Sequence, residues 1–203
     1  MLTASSKIIS IVFHPLLLTL YAFLFIWTFS PVHFAGINDE LKLRLVVIVT
    51  LNTLLFPILS IFIMRRLGFV NSFYLKEREE RIIPYIAISI FYFWTFMVVK
   101  KLALNPFFTS LTLGASLSVF MAFFFNLFTK ISIHTTGAGN FIAIVLLLAF
   151  GSRFNLELPV MITLIAIGLI GSARLRLSAH TSSQVYFGYV IGIAGQLIAY
   201  FSL

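Results

Sequence analysis

The chain has 203 residues, of which 61% are hydrophobic and 10% charged, with a formal net charge of +8 and no cysteine. With a mean hydropathy of +1.08, that composition describes a polytopic membrane protein and excludes a soluble domain. The basic residues are scattered through short loops and form no tract, so nucleic acid is excluded as a partner, and the lack of cysteine excludes a disulfide, a thiolate nucleophile and a cysteine metal site.

Apolar runs predict an all-α polytopic bundle of six to seven transmembrane helices, built as a single membrane domain over 1–203. The expected helices cover about 8–30, 43–67, 84–103, 107–128, 137–152, 158–174 and 184–202. The first run is too long for a signal-peptide core, has only Lys7 before it and lacks a small-residue cleavage site, so it reads as a retained helix. His14 precedes Pro15 and is expected inside that helix, buried and hydrogen-bonded, while His33 falls in the loop after it. The connection from Arg65 to Arg81 is the longest polar one and carries eight charged residues. Within it Glu77/Arg81 and Lys76/Glu80 stand four apart, which suits a solvated helical turn, and Pro84 suits the first turn of the next helix. The helix over 137–152 is the shortest and has the least margin for spanning. In the last helix, Gly188-x-x-x-Gly192 predicts close approach by a neighbour.

Two polar islands lie between these helices. One is Lys130-Ile131-Ser132-Ile133-His134-Thr135-Thr136-Gly137, and the other runs from Ala173 to Gln184 through Arg174, Arg176 and His180. Imidazoles attack phosphorus or shuttle protons, and fixed cations hold phosphoryl oxygens. With the Lys76–Arg81 cluster, the islands form a candidate phosphate site. Each segment also has a plain alternative: arginines that reach up to headgroups, a histidine that caps a helix, a turn with incidental polar groups. Counting spans places all three segments on one membrane face, because even numbers of helices separate them. That face carries nine Lys/Arg against five on the other. Without Lys76, Arg81 and Arg174, which are candidate phosphate ligands, the count is six to five and leaves the orientation open. A metal site from His134 and His180 is set aside, since no carboxylate is spaced to accompany them.

Read together, residues 76–192 resemble the type 2 phosphatidic acid phosphatase superfamily. Its motifs are Lys-x6-Arg-Pro, Pro-Ser-Gly-His and Ser-Arg-x5-His-x3-Asp. The corresponding stretches here are Lys76-x6-Ile83-Pro84, Ile131-Ser132-Ile133-His134 and Ala173-Arg174-x5-His180-x3-Gln184. The resemblance implies a phosphatase without cofactor or metal. His180 would be the nucleophile and His134 the acid on the leaving oxygen. Lys76, Ser132 and Arg174 would bind the phosphoryl oxygens, with Arg81 standing in for the motif Arg that is Ile83 here. Gln184 replaces the Asp that orients the nucleophile, and Glu77, Glu79 or Glu80 would be the substitute carboxylate. The implied substrate is a lipid phosphate or diphosphate, in a bacterial cytoplasmic (inner) membrane among membrane lipids. The alternative is a non-catalytic relative, a lipid-phosphate binder or scaffold for a membrane-protein partner. A small transporter fits less well, because apart from His14 no ionisable group is expected at mid-membrane.

Overall fold

Six helices are long and apolar enough to cross a membrane, and a bent N-terminal pair makes a seventh if counted as one span. The structure, a computed structural model, describes residues 2–72, 77–151 and 155–203. The chain is 82% helical, with no strand among the described residues. It is an all-α integral membrane protein, as its apolar runs require.

The N-terminal run departs from expectation. In place of one helix over 8–30 there are two, α1 (Leu2–Val12) and α2 (Pro15–Phe29), bent by 58° at their junction. Pro15 lacks an N–H, and its ring disfavours a helical conformation at the residue before it. His14 accordingly takes φ −63° and ψ 136°, and its Nδ1 accepts the Leu16 N–H at 3.4 Å as the N-cap of α2. His14 is therefore a boundary residue and does not lie inside a helix.

The next span covers 39–66 and joins α3 (Asp39–Thr50) to α4 (Phe56–Arg66) through a π-helical turn at Leu51–Leu55. The wide turn precedes Pro57, whose ring and missing N–H do not fit a regular α ladder. α5 (Ile82–Lys101) follows a 3₁₀ turn at Glu79–Arg81. Of the helical turn expected over 76–81, the described part is 3₁₀ at Glu79–Arg81, with Glu77 acting electrostatically on Arg81. Arg78 pairs with its neighbour Glu79 at 2.9 Å and reaches the carbonyls of Leu127 and Phe128, both at 3.0 Å. Glu80 accepts from Asn71 at 2.9 Å. Contacts across the fold thus join the local ones. Lys76 lies outside the described residues.

α6 (Pro106–Asn126), α7 (Ile133–Gly151), α8 (Glu157–Arg176) and α9 (Ser182–Phe201) complete the bundle. The most apolar windows of α6 and α7 are 67% and 56% buried, against 22% for the 39–66 span and for α8. The centre is therefore α6 and α7, and the less buried spans turn their apolar faces to lipid. α7 starts at Ile133 and not at 137, because the Ser132 carbonyl accepts the Thr136 N–H at 3.0 Å. His134 thus sits in the first turn of α7. Gly137 and Gly139 lie inside the helix, against the Leu18 side chain and the Tyr189 backbone.

Glycines bring α9 onto α6 and α7. A Cβ on Gly192 would strike the Thr136 carbonyl oxygen and lie 2.6 Å from the Asn140 nitrogen. Beside this contact Asn140 Nδ2 donates to Ser118 Oγ and Gln196 Oε1, both at 3.2 Å, and Gln196 Nε2 donates to Ser110 Oγ at 3.2 Å. Such bonds between helices in a membrane contribute about 0.6–2 kcal/mol each. The atoms facing Gly192 belong to backbone and cannot swing aside. Gly192→Ala is expected to cost about 1–3 kcal/mol, seen as a lower melting temperature in detergent. An unchanged melting temperature would contradict the close approach.

Candidate functional site

The starts of α2, α5, α7 and α9 meet the end of α8 at one end of the bundle, and five segments deliver polar groups there. Arg81, at the start of α5, donates from Nη1 to the Ile131 carbonyl at 2.9 Å, which ties α5 to the residue before Ser132. Ser132 caps α7 with its carbonyl, which also accepts from the Thr135 and Thr136 hydroxyls at 3.0 and 3.2 Å. Its own Oγ is fully buried and has no hydrogen-bond partner among the described residues. Hydroxyls in such positions are nearly always bonded, and this one stands beside the open N–H groups of a helix start, where an anion is favoured. Gly188 lets α9 lie against this turn, since a Cβ there would collide with the Thr135 hydroxyl and come within 2.8 Å of the Ser132 carbonyl.

Gln184 enters one turn before Gly188, and His180 four residues before that, just ahead of α9. The short segment between α8 and α9 reverses at Ser178, which has φ +50°. Thr181 then caps α9, and a capping box forms with Gln184, whose Oε1 accepts the Thr181 N–H at 3.3 Å. The same Oε1 lies 3.0 Å from His180 Nδ1. An oxygen that already accepts from a backbone N–H is an acceptor, so Nδ1 carries the proton and Nε2 is bare. Gln184 therefore does two things: it starts the helix and sets the His180 tautomer.

Arg174, near the end of α8, donates from Nη1 to Ser10 Oγ at 3.1 Å, while its Nε is buried without a partner among the described residues. His134 Nε2 lies 3.1 Å from the Ser10 carbonyl, and the His14 ring stands edge-on to the His134 ring with centroids 5.5 Å apart. Lys130 lies between α6 and α7, within electrostatic reach of Arg81, Arg174 and His180. Partial burial first, and then Arg81 and Arg174, hold its ammonium below the usual lysine range.

The charges act on His180 in one direction. Burial and then Arg81, Arg174 and Lys130 push its pKa from 6.5 down to about 4, with the Gln184 bond opposing them. Among the described residues no carboxylate acts on His180. Glu77 acts on Arg81 and Lys130 instead, and Glu79 pairs with Arg78. At neutral pH His180 is a neutral imidazole with a free Nε2, surrounded by cations. Its folded pKa lies below the unfolded 6.5, so the unfolded chain binds the extra proton between those values. Stability should be full above pH 6.5 and fall as pH drops from 6.5 towards 4. A His180→Gln variant should lack this part of the pH dependence. Matching melting curves for the two proteins over that window would contradict the burial of His180 beside these cations.

The structure thus brings together Arg81, Ser132, His134, Arg174, His180 and Gln184 from the expected set. Sequence reasoning missed three residues. Lys130 had a signal, as a cation in the same island and on the same face. His14 had a weaker one, since a Pro after it ends a helix and moves it to the membrane edge. Ser10 had none. Among the described residues no group of three His, Asp or Glu side chains is spaced to hold a metal ion. No family model, curated protein or solved structure matches the chain.

Proposed function

We propose that the chain is a membrane phosphatase-like protein that hydrolyses a lipid phosphate or diphosphate through a phosphohistidine, as a divergent relative of the type 2 phosphatidic acid phosphatases in a bacterial cytoplasmic membrane. The observation that carries this reading is the bare Nε2 of His180, within electrostatic reach of Arg81, Arg174 and Lys130, at the end of the bundle that also holds a buried Ser132 hydroxyl without a partner among the described residues. His180 Nε2 attacks phosphorus, and the bond to the lipid oxygen breaks. That oxygen takes its proton through His134 Nδ1, which receives it from the bound phosphate monoanion, because Nε2–H is held by the Ser10 carbonyl. Water then gives a proton to His134 and attacks phosphorus, which releases phosphate and restores His180. The cations and the Ser132 hydroxyl offset charge on the phosphoryl oxygens throughout. The apolar bundle beside a membrane-edge cation cluster suits a ligand with a phosphate head and a buried tail.

A second reading, a non-catalytic lipid-phosphate binder or scaffold, is favoured by the neutral amide that faces His180 Nδ1. Incubating purified protein in detergent with a panel of lipid mono- and diphosphates separates the two. Release of inorganic phosphate above the rate in detergent alone supports the enzyme. Saturable binding without release supports the binder, and neither result rejects both.

A further inference from the structure

We propose that Ser10, on α1, is a positioning residue of the anion site, holding Arg174 with its hydroxyl and His134 with its carbonyl. This rests on the anion-site reading above and extends it to a helix outside all the motif-like segments. α1 packs against α8, and Ile9 and Phe13 lie on the cluster of Leu18, Ala138 and Ile170. Its bend at His14–Pro15 carries α1 over that end of the bundle rather than continuing the line of α2. Ser10 there makes three bonds: Oγ donates to the Ser6 carbonyl at 2.9 Å, Oγ accepts from Arg174 Nη1 at 3.1 Å, and the Ser10 carbonyl meets His134 Nε2 at 3.1 Å.

The chemistry is directional. Because the Ser10 hydroxyl proton goes to Ser6, its lone pairs are left for Arg174. One edge of the guanidinium is thereby fixed, and the buried Nε is kept available for a phosphoryl oxygen. A carbonyl only accepts, so His134 carries a proton on Nε2, and Nδ1 is the nitrogen left to serve a ligand. One residue thus sets the orientation of the cation and the tautomer of the acid.

The test is binding of inorganic phosphate to the full chain in detergent, followed by ³¹P line broadening. Ser10→Ala should weaken binding about tenfold or more, as expected when a bond to a charged group is lost, and Ser10→Thr should restore it to within a few-fold. In an Arg174→Met background Ser10→Ala should have no further effect, since residues that act through one another are not additive. Wild-type binding by Ser10→Ala, or an undiminished effect in the Arg174→Met background, would overturn the proposal and leave the anion site intact. Failure of the wild type itself to bind phosphate would overturn the site reading along with it. If Ser10→Ala does not fold, ¹⁵N spectra of wild-type His134 decide: an Nε2–H ring supports the proposal and an Nδ1–H ring rejects it.

Discussion

His180→Ala is expected to lose phosphate release by at least about 10⁴-fold, because removing a nucleophile takes away the covalent route as a whole. Binding should survive. Arg81, Lys130, Arg174 and Ser132 remain, and none depends on the imidazole for a hydrogen bond. The variant should therefore bind inorganic phosphate within a few-fold of wild type while turning over no lipid substrate. His134→Ala should divide by substrate instead: lipids with a good leaving group need little protonation and should lose less. Equal turnover by wild type and His180→Ala in detergent would remove His180 as the nucleophile.

Gln184→Glu is expected to raise turnover. In the proposed reaction the attack on phosphorus would make His180 cationic, yet the site holds its pKa at about 4 and faces it with an amide oxygen that has a dipole and no charge. Glu keeps the length of Gln, so it can still accept from Thr181 N–H and His180 Nδ1 while adding a full negative charge. It also keeps the capping box and places a carboxylate at a helix N-terminus. In a serine protease triad the change from Asp to Asn costs roughly 10⁴ in rate, largely through the wrong tautomer. Here the tautomer is already right, so the gain should stay below that bound. The His180 pKa, read by NMR titration, should rise together with the rate. A raised pKa without a faster reaction would favour the non-catalytic binder. No change in either would show that Gln184 does not act on His180.

The Glu residues offered as substitute carboxylates illustrate what sequence could not resolve. Glu77, Glu79 and Glu80 share the correct face by helix parity, but the loop folds them onto Arg78, Asn71 and the Arg81–Lys130 pair. Their position along the chain fixes the membrane face and says nothing of which side of a loop they occupy.

The apolar runs by themselves determined the all-α bundle and its six or seven spans, and their parity allowed the segments holding Ser132, His134, Arg174 and His180 to share one face. A bilayer admits only segments that satisfy their own backbone, so span length and parity can be counted from sequence. The Gly188-x-x-x-Gly192 contact was legible for a related reason, since missing side chains are visible as letters. Only the tertiary structure decided the start of α7 at Ile133, the tautomer of His134, and the place of Ser10 and Lys130 in the site. Those depend on backbone carbonyls and on helices packed across more than a hundred residues of chain, as between Ser10 and Arg174. A hydrogen bond to a main-chain oxygen leaves no mark on the order of side chains, so nothing in the sequence announces it.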